Sequence, residues 1–250
     1  MSLSRAAALL ADKEAILVFT GAGISTGSGI PDFRGPDGVW TKLDPNEFTY
    51  DNYLCSADTR RRQWQWRFGS GLLDAEPNAG HVAIARMWAA GLVLGCVTQN
   101  IDGLHQRAGL PESAVVEVHG SVHRTRCLEC GASLPTVDLE HRITAGDHDP
   151  HCEQCGGILK TAVISFGEMM PQDAMRRAYA LAATCDTVLA VGSTLSVYPA
   201  AEVPLEAARA GAGYVIVNQG PTEHDQLADV VVAGDASAVL TRLADTLLGP

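Results

Sequence analysis

Several groups of side chains in this 250-residue chain have the types and spacings that chemistry needs. One is Gly21-Ala22-Gly23-Ile24-Ser25-Thr26-Gly27-Ser28-Gly29-Ile30-Pro31-Asp32-Phe33-Arg34-Gly35, directly behind the apolar run 15–20. Glycines at such a turn let backbone N–H groups approach a pyrophosphate, and a following helix would aim its positive N-terminal end at the anion. The dinucleotide fingerprint is incomplete, because Gly21-x-Gly23-x-x closes on Thr26 and the next glycine is at 27. A tight strand-to-helix turn that binds nothing would explain the glycines but not Asp32-Phe33-Arg34. A second group is Gln99, Asn100 and Asp102, which alternate carboxamide and carboxylate beyond the apolar run 92–98. Asn100 or Asp102 could also cap a helix starting near 102, and one role does not exclude the other. The third is His119, at the end of the run 115–118. An imidazole with its ordinary pKa of about 6.5 suits proton abstraction at neutral pH. The other histidines, His81, His105, His123, His141, His148, His151 and His224, read as surface or satisfied core residues.

Cys127-x-x-Cys130 and Cys152-x-x-Cys155, separated by the polar segment 131–151, have the spacing of a four-thiolate metal site. Two thiolate pairs on tight turns, each followed by glycine (Gly131, Gly156), can close around one Zn²⁺ with no position left for water. The segment between them has too little apolar surface to fold on its own core, so metal ligation should supply much of its folding free energy. A redox role for either pair is the alternative. Cys55, Cys96 and Cys185 read as apolar residues, and three leftover cysteines do not suggest a disulfide framework.

The elements that must position these groups follow from patterning. Short apolar runs at 15–20, 92–98, 115–118, 187–191, 214–218 and 230–233 read as buried strands, and 81–90, 172–183, 200–210 and 236–247 as helices. Their alternation predicts an α/β fold with a Rossmann-like, doubly wound parallel sheet covered on both faces. Ligands of such sheets bind at the carboxyl ends of the strands, where 20–21, 98–99, 191–192 and 217–218 all fall. Two regions break the alternation: 36–78, with a polar loop and a helix over 59–68 rich in arginine and tryptophan, and 123–159, with the cysteines. The expected division is therefore 1–35, 79–122 and 160–250 as a nucleotide-binding domain, 123–159 as an inserted zinc-ribbon module, and 36–78 as the helical part of a smaller domain. The N-terminal apolar residues precede Asp12 and Glu14 and read as a packing helix rather than a leader. No run approaches the roughly 20 apolar residues that span a bilayer, so no membrane role and a cytoplasmic location are expected. A net charge of −11 argues against direct nucleic-acid binding and would favour basic, lysine-bearing partners, although such a balance also serves solubility.

The segment around Asp32-Phe33-Arg34 resembles the signature of the sirtuins, NAD-consuming protein-lysine deacylases. Thr98-Gln99-Asn100-Ile101-Asp102-Gly103-Leu104-His105 resembles a second signature of that family, and Val118-His119-Gly120, the four cysteines, Ser165-Phe166-Gly167-Glu168 and Gly192-Ser193-Thr194-Leu195 extend the similarity over 14–240. The resemblance implies consumption of NAD, transfer of an acyl group from lysine to ADP-ribose with release of nicotinamide, and one structural Zn²⁺ on Cys127, Cys130, Cys152 and Cys155. It makes His119 the general base, with Asn100 orienting the nicotinamide ribose and its water, Asp102 holding the nicotinamide carboxamide and Gln99 touching ribose. Gly21, Ala22, Gly23, Ser25, Asp32, Phe33, Arg34 and Ile101 would line the cofactor site. Gly192, Ser193 and Thr194 would bind phosphate or ribose, and Asn218 the adenosine ribose. Val163, Phe166 and Gly167 on one side and Leu195 and Val197 on the other look like edges between which an acyl-lysine peptide lies as an added strand; ordinary packing is the alternative for both.

Some positions depart from the family pattern. Lys160-Thr161-Ala162 stands where many members have a basic residue followed by proline, and Gly192-Ser193-Thr194 inverts a commoner order. The run 36–41 resembles a branch that includes long-chain deacylases and mono-ADP-ribosyltransferases. Members that prefer succinyl or malonyl lysine carry Tyr-x-x-Arg on the helix where this chain has Trp64-x-x-Arg67, so Trp64 and Arg67 become candidate acyl-pocket residues, with packing as the alternative. Two other classes remain open at this point. An NAD-dependent dehydrogenase would need an acidic residue ending the next strand, where only Asp44 and Glu47 fall near the spacing, in a polar loop. A non-enzymatic zinc-ribbon module that senses a nucleotide would leave His119 and Gln99-Asn100-Ile101-Asp102 without a task.

Overall fold

In a computed structural model, which describes residues 2–32, 38–41 and 44–249, the apolar runs become strands and the periodic segments helices. In chain order the elements are α1 (Ser2–Leu10), β1 (Ile16–Thr20), α2 (Tyr50–Cys55), α3 (Ala57–Gly69), α4 (Ala79–Ala89), β2 (Val93–Thr98), α5 (Leu104–Arg107), β3 (Val115–Glu117), β4 (Gly120–Cys127), β5 (Ser133–Pro135), α6 (Glu140–Thr144), β6 (Leu159–Val163), α7 (Gln172–Thr184), β7 (Thr187–Val191), α8 (Glu202–Arg209), β8 (Gly213–Asn218), β9 (Val230–Ala233) and α9 (Ala236–Leu248).

Six strands form one parallel sheet in the order β3-β2-β1-β7-β8-β9. Each central strand sends alternate side chains to opposite faces. From β1, Ile16 and Val18 enter a cluster with Ala6, Leu10, Ile84, Met87, Leu240 and Leu243 of α1, α4 and α9. Leu17 and Phe19 enter another with Met175, Ala178, Val203 and Ala207 of α7 and α8. Burial on both faces is why these strands read as continuous apolar runs, and each large side chain so buried contributes about 1.5–3 kcal/mol before the cost of ordering. The order reverses at β1: the chain builds outward through β2 and β3, then returns to lay β7 on the other side. Between β1 and β7 lies the switch point, where a crevice opens beyond the carboxyl ends of the strands.

One expectation fails beside this crevice. Among the described residues no α-helix begins directly after β1; the chain makes two single 3₁₀ turns, Ala22–Ile24 and Thr26–Ser28, so no α-helix dipole points into that turn. Short Ser/Thr/Gly-rich turns cannot propagate a helix. Phe33, Arg34, Pro36 and Asp37 lie outside the described residues.

The second sheet, β5-β4-β6, is antiparallel and begins at Gly120, directly after His119. It therefore starts three residues before, and ends four residues after, the cysteine segment 123–159. Its core is small: Trp64 of α3 with Cys127, Leu139, Cys152 and Leu159. The segment 44–69 closes against it. Tyr53 donates to the Leu159 carbonyl at 2.6 Å, and Arg60 grips both oxygens of Asp149 at 2.8 Å while its remaining nitrogen donates to the Tyr53 and Leu54 carbonyls. No helix among the described residues is long and apolar enough to cross a membrane.

Candidate active site

The glycines at the switch point first serve the chain itself. Gly21 N–H donates to the Val191 carbonyl at 3.0 Å, Gly23 N–H to the Gly192 carbonyl at 2.8 Å, and Gly192 N–H to the Val217 carbonyl at 2.9 Å. The loops after β1 and β7 thus touch backbone to backbone. A Cβ on Gly23 would stand 2.8 Å from Gly192 Cα, and one on Gly192, whose φ is 63°, would stand 2.4 Å from Ile24 N. Thr26, at the imperfect fingerprint position, donates its hydroxyl to the Gly23 carbonyl at 3.0 Å. Ala22 and Asp32 are half-buried along the same edge.

Beyond β2 the polar run turns into the crevice. Asn100 is buried and its Nδ2 donates to the Gly21 carbonyl at 3.2 Å and to Ser25 Oγ at 3.1 Å. Ser25 Oγ in turn donates to Asp102 Oδ2 at 2.7 Å, while Asp102 Oδ1 accepts from Leu104 N–H at 3.0 Å. Asp102 therefore accepts from the first N–H of α5 and also anchors the Ser25–Asn100 chain. Gln99 Nε2 crosses to Ser193 Oγ at 2.8 Å, and that oxygen also accepts from Leu195 N–H at 3.1 Å. Ile101 is half-buried between them in sequence. Thr194 Oγ1 lies 2.9 Å from Ser196 Oγ, and Asn218, at the end of β8, donates to the Gly220 carbonyl at 2.8 Å.

Behind this layer stands a second one that sequence reasoning passed over. His81 Nδ1 accepts from Asn78 N–H at 3.3 Å in a capping box, which leaves Nε2–H facing Ser25 Oγ at 3.5 Å. His105 Nε2 lies 2.9 Å from Thr20 Oγ1, which donates to Thr98 Oγ1 at 2.8 Å, and Thr98 Oγ1 accepts from Asn100 N–H at 3.0 Å. The two rings meet edge to face at 5.1 Å. Burial pushes their pKa values down to about 4 for His81 and about 3 for His105, so both are neutral supports. The available signal was His81 three residues beyond Asn78 in a Pro-Asn turn.

His119 sits just past β3, half-buried, with Nδ1 2.9 Å from the Gln99 carbonyl oxygen. A carbonyl only accepts, so Nδ1 carries the proton and Nε2 keeps the lone pair. Burial lowers the pKa of His119, and the hydrogen bond to Gln99 opposes that shift. The ring is thus neutral at pH 7, with one basic nitrogen.

Val163 ends β6; Phe166, 45% exposed, and Gly167 follow it, held by Tyr50 N–H to the Phe166 carbonyl at 2.9 Å and Phe166 N–H to the Phe48 carbonyl at 3.1 Å. Val197 is half-buried, but Leu195 is 0% exposed and belongs to the core under α7 and α8. Its side chain is a packing residue, a role that its place in a polar loop motif hid. Trp64 likewise fills the small core, and Arg67 is buried beside it on the same helix face, where burial pulls the guanidinium down to about 10 despite the neighbouring Tyr53.

The four cysteine Sγ atoms all lie within 4.8 Å of one another, with 3.5 Å between Cys127 and Cys155 and 3.8 Å between Cys130 and Cys152. A tetrahedron with Zn–S bonds of about 2.3 Å has edges of about 3.8 Å. Four thiolates at that spacing fit a closed structural Zn²⁺ site.

The chain is similar to known proteins over most of its length. The Sir2 family model matches residues 21–199. The NAD-dependent protein deacetylase 1 of Bradyrhizobium diazoefficiens is 44% identical over 93% of this chain and 91% of the relative. A solved Sir2 enzyme is 40% identical with a TM-score of 0.91, covering 99% of this chain and 98% of that one. A Sir2 bound to acetylated peptide is 34% identical with a TM-score of 0.88, covering 98% of both chains.

Proposed function

Since the chain belongs to the Sir2 family and is an NAD-dependent protein-lysine deacylase, we propose that His119 is its general base and that Asn100 and Asp102 fix the nicotinamide end of the co-substrate. The observation that carries this reading is the hydrogen bond from His119 Nδ1–H to the Gln99 carbonyl, which leaves Nε2 as the basic nitrogen of a neutral ring at the crevice. NAD supplies an electrophilic ribose carbon, whose bond to nicotinamide breaks as the acyl oxygen attacks, so that the acyl group ends on ADP-ribose. The chain's own contributions are positional. Gly21, Ala22, Gly23, Gly192, Ser193 and Thr194 offer backbone and hydroxyl groups at the strand ends, where phosphates would lie, and Asn218 stands at the outer end for the adenosine ribose. Ser25 holds Asn100 and Asp102 in register, and Gln99 ties their loop to Ser193. Asp32, Phe33, Arg34 and Ile101 complete the nicotinamide end. His119 Nε2 accepts a proton from the ribose hydroxyls and needs no ionisation of its own beforehand.

We assign the peptide to the gap between 163–167 and 195–198, with Val163, Phe166, Gly167 and Val197 as its walls and the backbone of Leu195 in the opposite edge. Trp64 and Arg67 are both buried on α3, and packing already occupies Trp64. The dehydrogenase alternative lacks its acidic strand end, because Asp44 caps a 3₁₀ turn by accepting from Asn46 N–H at 2.9 Å. None of the seven cysteines is in a disulfide, four being placed to hold a metal, which supports a cytoplasmic setting. Incubation with NAD and an acetylated peptide should give nicotinamide and deacetylated peptide in equal amounts, with O-acetyl-ADP-ribose seen by mass spectrometry. Deacylation that proceeds without NAD would remove the reading.

A further inference from the structure

The most deeply buried lysine of the described residues lies outside the nucleotide crevice. Lys160, on β6, has a side chain 1% exposed, and its Nζ contacts Glu168 Oε2 at 2.8 Å, with Glu168 itself 7% exposed. The same ammonium donates to the Val163 carbonyl, and its remaining side faces the rings of Tyr50 and Tyr53 at 5.8 and 6.0 Å from their centroids. Glu168 is equally engaged. Its Oε2 also accepts from Ser165 N–H at 3.0 Å, its Oε1 accepts from Arg126, and its own N–H closes a turn onto the Ser165 carbonyl at 3.0 Å. These bonds converge on the segment 163–168 and leave it little freedom. Its outer side is stitched to Phe48 and Tyr50, and Ile164 N–H donates to the His119 carbonyl at 2.9 Å.

A buried ion pair is weak evidence of stability, because its desolvation roughly offsets its attraction, and an apolar pair of like size often folds as well. What it does supply is geometry, since a charged pair with every donor used tolerates only one arrangement. We infer that the Lys160–Glu168 pair is a positioning device for the peptide edge: it holds 163–167 in the course on which an acyl-lysine peptide is laid as an added strand, and through Ile164 it ties that edge to His119. This rests on the reading of 163–167 as a peptide-binding edge. Main-chain hydrogen bonding to an added strand needs a fixed, extended backbone, so slack in the edge weakens peptide binding before it touches the nucleotide.

Burial pushes the Lys160 amine down to about 8, with Glu168 from its own loop opposing the shift and Arg67 from α3 and Arg126 from β4 adding to it; Tyr50 and Tyr53 face it from α2. Peptide affinity should therefore weaken as the pH rises through about 8. An arginine at 160 would not titrate there.

The test compares wild type with Lys160→Arg, with the double variant Lys160→Met/Glu168→Gln, which removes both buried charges together and leaves Arg126, 45% exposed, to water, and with Phe166→Ala as a probe of the edge itself. For an acetylated peptide the double variant should raise KM about tenfold while kcat and the KM for NAD stay within about twofold. Lys160→Arg should restore most of the affinity and abolish the rise of peptide KM above about pH 8. If Phe166→Ala raises the peptide KM and the double variant does not, the positioning role is overturned and the edge reading stands. If neither changes it, both fall. A double variant that raises both KM values alike, or lowers kcat with peptide KM unchanged, also overturns the inference.

Discussion

The parallel sheet and the small antiparallel sheet solve the same stability problem by different means. The parallel sheet is sandwiched between two apolar clusters that draw on α1, α4 and α9 on one face and α7 and α8 on the other. Its ion pairs, such as Arg86–Asp245 and Arg209–Glu202, lie at the surface, where such pairs add about 0–1 kcal/mol. The small sheet has, among the described residues, a cluster of five buried side chains, Trp64, Cys127, Leu139, Cys152 and Leu159, and two of these are cysteines. There the charges are buried: Arg60–Asp149 at 9% and 14% exposure, and Lys160–Glu168 deeper still. A module too small to bury enough apolar area is held by a metal and by charge clamps, whereas the sheet that carries the chemistry is held by packing.

Removing the metal should break the contrast most visibly. Cys127→Ala or Cys152→Ala leaves three thiolates, and ligation of a structural zinc is worth on the order of 10 kcal/mol. Hydrogen exchange should accelerate across 120–163 while the six-stranded sheet stays protected, and zinc content should fall from one per chain. Folded, active protein with no zinc would contradict the assignment.

The reverse case is His119→Ala, which should cost about 10²–10⁴-fold in turnover and leave the thermal transition unchanged. Because burial lowers the His119 pKa, the acid limb of kcat/KM in the wild type should lie below about 6.5. Near-normal turnover in the variant would take His119 out of the mechanism.

Arg60→Met strands the Asp149 carboxylate and leaves the Tyr53 and Leu54 carbonyls without that partner. A loss of about 2–4 kcal/mol is expected, confined to the small module and read as faster exchange in 140–160. Loosening of the parallel sheet to the same degree would show that the two regions do not differ as described.

Acid should reach the parallel-sheet region through His81 and His105. Both have folded pKa values below the ordinary 6.5, so the unfolded chain takes up their protons first, and stability is complete above about pH 6.5 and declines as the pH falls towards about 4. Each histidine contributes a slope of up to about 1.4 kcal/mol per pH unit in that window. The melting temperature of His105→Gln should therefore fall less steeply between pH 6.5 and 4.5 than that of wild type.

The smallest effect concerns Arg67, at the seam between the regions. With Trp64 spent on the small core, acetyl lysine should be removed several-fold faster than succinyl lysine from one peptide, a difference of about 1 kcal/mol. Comparison of kcat/KM decides it, and a succinyl preference lost in Arg67→Met would reverse the reading.

Much of this was legible beforehand because it is local. Strands buried on both faces must be apolar without interruption, so 187–191 and 230–233 were read to the residue. The cysteine pairs announce a metal because each pair is set by the geometry of a single turn. Other features carried no local signal for their packing role. The glycines at 21, 23 and 192 suggested a ligand's approach, yet much of their need comes from one loop pressing on another. Leu195 sits in a polar motif and points into the core.

Sequence alone therefore determined the parallel architecture, the four-thiolate site and the identity of the polar groups at the strand ends. Those follow from periodicity and spacing over a few residues, where one side chain's type constrains its neighbours. Only the tertiary structure decided which partner each buried polar group would find: His81 against Ser25, Arg60 against Asp149, Lys160 against Glu168, Gln99 against Ser193. No short-range pattern encodes those pairings. Ser193 and Gln99 are 94 positions apart, and what joins them is the return of β7 to the far side of β1, a property of how the whole chain packs.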